Sequence, residues 1–171
     1  MIHALIFDWG NTLMRVFPKY KGPMAFWPKV EAVAGVKEIL LLLQPRYRLV
    51  LATNATDSDA ILVRKALSKV SLEEHFYTVL TSQELGIRKP DPAFYQAVLK
   101  EVGYSPHQTA MIGDNYEDDI ASAKQSGLWT IWFNPKGIPS PFTNPLHDAE
   151  IKVMAKLPSA LENLNFKIWQ I

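Results

Sequence analysis

The 171-residue sequence reads as an α/β fold around a mostly parallel sheet. Short continuous apolar runs recur along it, helical patterns separate them, and several runs stop on a polar residue suited to chemistry. A strand covered by helices on both faces is apolar throughout, whereas a one-sided antiparallel strand alternates. Such runs alternating with helices point to the α/β class.

The elements follow in chain order. Ala4-Leu5-Ile6-Phe7 is an apolar run ending at Asp8. Val36 to Leu43 is a strongly apolar helical segment that stops before Pro45. Leu49-Val50-Leu51-Ala52 is a second strand, ending at Thr53. Asp57 to Val70 sets Leu62, Ala66 and Val70 at four-residue spacing, the signature of a helix face. Tyr77 to Thr81 is β-branched and aromatic, as strands are. Asp91-Pro92 is a helix cap followed by proline at the first helical position. Phe94, Val98 and Val102 then share a face, and Gly103 supplies the stop. Ala110-Met111-Ile112 ends at Gly113-Asp114, and a helix over Glu117 to Ser126 ends at Gly127. Thr130-Ile131-Trp132-Phe133 ends at Asn134. Beyond it, four prolines mark an irregular connection, Ala149 to Val153 is a short additional strand, and Ser159 to Leu164 is a helix.

Composition narrows the function. The net charge of +1 gives no bias toward nucleic acid or membrane. The chain has no cysteine, so disulfides, thiolate metal sites and a cysteine nucleophile are excluded. The apolar start ends too early, at Asp8, for a signal peptide or a membrane span, and a cytoplasmic protein is expected. One domain is expected over residues 1–171. His3, His75, His107 and His147 show no metal-ligand spacing and read as structural or exposed.

In α/β sheets, ligands bind beyond the carboxyl ends of the strands. Asp8, Thr53 and Asp114 each stand where an apolar run ends, so the fold would gather them at one edge. Two carboxylates and a hydroxyl there could hold a hard cation and a phosphate.

Four segments stand together in order: Phe7-Asp8-Trp9-Gly10-Asn11-Thr12-Leu13, Thr53-Asn54, Arg88-Lys89-Pro90-Asp91-Pro92, and Gly113-Asp114-Asn115-Tyr116-Glu117-Asp118-Asp119. Each alone is a weak signal. Together, from about Ile2 to Gly137, they resemble the haloacid dehalogenase-like hydrolase superfamily, which is mostly phosphatases. The resemblance implies a three-layer α/β/α Rossmann-like sandwich with strand order 5-4-1-2-3 and a minimal cap. It also implies roles. Asp8 would attack phosphorus and become an aspartyl-phosphate; carboxylates are ionised near neutral pH and so are feasible nucleophiles. Thr53 would hydrogen-bond a phosphate oxygen, and Lys89 would neutralise the phosphoryl group and the nucleophile. Asp114 and the Gly10 backbone carbonyl would join Asp8 around Mg²⁺, and Asp119 would orient Lys89 or a metal-bound water. The substrate would be a small phosphorylated molecule. Taken alone, Thr53 also reads as a strand end, Lys89 as a solvated side chain, and Asp118 and Asp119 as helix N-terminal acids. Asn54 and Asn115 read either as ligand contacts or as turn caps. Glu117 and Asp118 are expected to be surface charges.

Position 10 departs from the family. Its phosphatases usually carry a second aspartate there, which protonates the leaving group and later activates water. Loss of a positioned acid–base costs about 10²–10⁴-fold in rate. Three readings stay open: a phosphatase for good leaving groups such as aryl or sugar 1-phosphates, a hydrolase of carbon–halogen or carbon–phosphorus bonds, or a weakly active binding module. Residues 14–35 form a short flap where other members carry larger caps. Phe17, Tyr20, Phe26 and Trp27 crowd into it, as a lid, a stacking surface, a subunit contact, or simply as flap packing.

Overall fold

The computed structural model describes residues 1–170. Six parallel strands form one sheet: β1 (Ala4–Phe7), β2 (Arg48–Thr53), β3 (Thr78–Thr81), β4 (Thr109–Gly113), β5 (Trp129–Phe133) and β6 (Ala149–Ile151). Their order is β3-β2-β1-β4-β5-β6, all neighbours parallel. The five-strand order expected is present, and β6 extends it beside β5. Helices α1 (Val36–Leu43), α2 (Ala60–Ser68), α3 (Ser82–Leu85), α4 (Pro92–Val102), α5 (Ser122–Gln125) and α6 (Leu157–Trp169) connect or flank the strands.

The strands are apolar throughout because both faces are covered. Leu5, Phe7, Leu49, Leu51 and Ile112 point to one face, where α1, α2 and α6 pack. Ala4, Ile6, Val50, Ala52 and Met111 point to the other, against Phe94, Tyr95, Val98 and Val102 of α4 and Ala123 of α5. The helix ends follow local chemistry. The Asp59 side chain accepts from the Leu62 amide at 2.9 Å and starts α2. Asp91 accepts from the Ala93 amide at 2.9 Å, Pro92 opens α4, and Gly103 at φ 75° closes it.

The segment expected as one helix after Asp114 begins differently. Tyr116–Ala121 is a π-helical turn, and only Ser122–Gln125 is α-helical. The flap is clipped at both ends: Arg15 donates its amide to Glu31 O at 2.9 Å, and Val33 donates to Leu13 O at 2.8 Å. Inside it, Met24 and Ala25 are buried. Tyr20 packs against Phe17 and Trp27, so these rings mainly cover one another. Phe26 is exposed, under the Lys65 ammonium. No described helix is long and apolar enough to cross a membrane.

Candidate active site

Register brings the polar strand ends together. Phe7 stands opposite Leu51 on one side and Ile112 on the other. The Asp8 amide donates to Ile112 O at 2.9 Å, so the ladder runs one residue past β1. Asp8, Thr53 and Asp114 therefore leave the sheet at one edge. With Gly10, Asn54, Lys89 and Asp119 they line a cleft of about 280 Å³.

Lys89 is at its centre, 1% exposed. Its Nζ donates to Asp8 Oδ1 at 2.8 Å, Asp119 Oδ1 at 2.6 Å and Ala52 O at 3.2 Å. Burial alone would lower the ammonium's pKa, but the Asp119 and Asp8 carboxylates outweigh it and hold the pKa well above the ordinary lysine value. For Asp119, burial pushes the carboxyl up and Lys89 opposes it; the ammonium at 2.6 Å keeps the pair ionised. Asp119 Oδ2 accepts from the Asn115 amide at 3.0 Å, so both its oxygens are occupied. Gly113 makes this possible, because a Cβ there would lie 2.2 Å from Asp119 Oδ2.

Asp8 Oδ2 faces Asp114. The Thr12 hydroxyl reaches both carboxylates at 3.3 Å and donates its single proton to one at a time. Burial, and then the charge of Asp8, push the Asp114 carboxyl up to about 6. The three acids Asp8, Asp114 and Asp119 bring carboxylate oxygens within 4.8 Å of one another, against one lysine. With Asp119 saturated, the under-compensated pair is Asp8 and Asp114. Hard oxygen donors with excess negative charge fit a magnesium ion.

Each remaining residue has a definite place. Thr53 is buried, and its Oγ1 accepts from the Ala55 amide at 3.2 Å. Asn54 spends its amide on the Lys89 backbone, donating to Lys89 O at 2.9 Å and accepting from Lys89 N at 2.8 Å. It thus ties β2 to the lysine's loop while lining the cleft. Asn115 caps the π turn, its Oδ1 accepting from the Glu117 and Asp118 amides.

Asp118 corrects the sequence reading: it is not a free surface charge but half-buried in the cleft wall, where Asn54 Nδ2 donates to its Oδ2 at 3.3 Å. The π turn rotates it inward, and no periodicity argument contains that turn. Thr12 and Gly113 lie within the sequence motifs around Asp8 and Asp114, yet neither spacing nor residue type marks their contacts.

The haloacid dehalogenase-like hydrolase family matches residues 5–133. The chain belongs to this family. Among curated relatives, phosphoserine phosphatase of Thermus thermophilus is 38% identical over 123 residues, 72% of this chain and 46% of the relative. Human N-acylneuraminate-9-phosphatase is 28% identical over 134 residues, 78% of this chain and 53% of the relative. The chain spans about half the length of these curated relatives. A solved 2-haloacid dehalogenase of Pseudomonas syringae has a TM-score of 0.79 at 21% identity, covering 95% of this chain and 99% of its own. A Listeria monocytogenes structure reaches 0.84 at 24%, covering 96% and 99%. These two likenesses show the fold of this haloacid dehalogenase-like chain.

Proposed function

We propose that this protein is a Mg²⁺-dependent phosphatase that hydrolyses a phosphate monoester through an aspartyl-phosphate on Asp8. The observation that carries the reading is the grouping of Asp8 between Lys89 on one side and the Thr12–Asp114 pair on the other. Kinship to curated phosphatases supports the reaction type.

Asp8, Asp114 and the Gly10 carbonyl would hold the magnesium ion, which supplies charge to offset repulsion between nucleophile and substrate. The chain does the rest. A carboxylate oxygen of Asp8 forms a bond to phosphorus while the bond to the alcohol oxygen breaks, its electron pair leaving on that oxygen. Lys89, held charged by two carboxylates, stabilises the phosphoryl oxygens throughout. The Thr53 hydroxyl and the Asn54 backbone amide bind those oxygens from the end of β2, the Asn54 side chain being spent on Lys89 and Asp118. Water then attacks phosphorus as the bond to Asp8 breaks; one of its protons balances the departed alkoxide, giving alcohol and hydrogen phosphate, and Asp8 returns to its carboxylate.

The test is turnover of p-nitrophenyl phosphate with Mg²⁺ in the intact chain and in Asp8→Asn, with beryllium fluoride trapping followed by ¹⁹F NMR. Wild type should turn over and trap; Asp8→Asn should do neither. Retained trapping in that variant removes Asp8 as the acceptor. Gly10 favours one other reading, cleavage of a carbon–halogen bond, which metal-free halide release from 2-haloacids would establish.

A further inference from the structure

A second cavity, of about 460 Å³, borders the cleft, and Asn11 and Asp114 line both. Its walls beyond them are largely apolar. Val33 and Ala34 come from the end of the flap, and Phe133 and Ile138 from the end of β5 and the turn after it. That turn is pinned: Asn134 Nδ2 donates to Ile138 O at 2.9 Å and to Glu150 at 2.8 Å, and its Oδ1 accepts from the Ile138 amide at 3.0 Å. With both ends of its amide used, Asn134 offers little to sugar hydroxyls. Two cations, Arg15 and Lys136, also line the cavity. Arg15 shares Glu31 with Lys29, so that carboxylate is outnumbered. Among the described residues Lys136 has no ion pair.

We propose that this cavity seats the leaving group of the substrate, and that the leaving group is an aromatic ring carrying a carboxylate or similar anion. The proposal rests on the phosphatase reading and names its substrate class. Two independent features converge on it. Gly10 brings no acid to the departing oxygen, and a Cβ there would meet Val16 Cγ2 at 3.1 Å, in space the flap already fills. The departing oxygen must therefore leave as a stable anion, which a phenol provides. As the bond from Asp8 to phosphorus forms, the bond from phosphorus to the ring oxygen breaks. Its electron pair leaves on a phenolate, which takes a proton from water. The apolar walls match the ring, and Arg15 and Lys136 match its anionic substituent.

Two measurements on the full chain test this. In the first, 4-carboxyphenylphosphonate, which cannot be turned over, is added with Mg²⁺ while methyl NMR follows Val33 and Ile138. Saturable shifts at both are expected, reduced in Lys136→Glu. Absence of shifts overturns the subsite whether or not the protein is active. In the second, Ala34→Trp narrows the cavity from an exposed loop position. The ratio of kcat/KM for 4-carboxyphenyl phosphate to that for acetyl phosphate should fall at least tenfold, and an unchanged ratio overturns the proposal. Methyl shifts in a chain that turns over neither ester would uphold the subsite and reject the phosphatase reading instead.

Discussion

Asp114 is the residue at which function opposes stability. Its carboxyl titrates at about 6 in the folded protein against 3.8 in the open chain, so folding favours the neutral acid. The stability tied to this group is complete below the unfolded value, and is lost as pH rises through about 6. Asp114→Asn is neutral at every pH. It should stabilise the metal-free protein at pH 7.5 by on the order of 1–2 kcal/mol, reduced from the full linkage value because water still reaches the group. The gain should vanish near pH 4. Urea unfolding in EDTA at both pH values measures it, and an equal gain at both contradicts the argument. Lys89 is the converse case. Lys89→Met leaves Asp119 buried without its cation and should cost about 3–5 kcal/mol. Part of that loss should return in Lys89→Met/Asp119→Asn; a double variant as unstable as the single would show that charge is not the cause.

At the scale of elements, the π turn decides what the site contains. Tyr116–Ala121 is wider than an α-helical turn, which lets Asp118 face the cleft while Asp119 reaches back to Lys89. The same turn needs a bare backbone at the end of β4. Gly113→Ala would drive a methyl into an Asp119 side chain held by Lys89 and the Asn115 amide. The expected cost is about 3 kcal/mol, at the upper end for overpacking, together with loss of turnover. Denaturant unfolding and p-nitrophenyl phosphate turnover check both. Wild-type stability would mean that Asp119 can move without penalty. Several element limits were legible in the sequence because they are local: Pro92 after Asp91 and Gly103 after Val102 each act on their own turn, whereas the helix expected from Asp57 to Val70 is trimmed to Ala60–Ser68 by its Asp59 cap. The π turn was not, since Glu117 to Ser126 carries an ordinary helical pattern, while the partners of Asp118 and Asp119, Asn54 and Lys89, come from segments far away in sequence.

For the molecule as a whole, the sheet edge concentrates negative charge that folding alone does not neutralise, so ligand and fold are linked. Mg²⁺ at about 100 times its dissociation constant should add about 2.7 kcal/mol to the native state. Thermal melts with and without EDTA report this, and Asp114→Asn should show little of it. A wild-type melt indifferent to Mg²⁺ would count against a cation at this edge.

The chain's own pattern was enough for the parallel sheet and the convergence of Asp8, Thr53 and Asp114 on one edge; the order of the first five strands and the places of Lys89 and Asp119 came from the family resemblance. Apolar runs define strands, strands set the edge, and the residue after each run must stand there. Three-dimensional packing alone revealed the shared hydroxyl of Thr12, the inward turn of Asp118, the clearance at Gly113 and the cavity between the flap and the turn after β5. Each depends on where side chains and segments come to lie in space, to within an ångström or two. Residue type and spacing carry direction along a strand or helix, but not that placement.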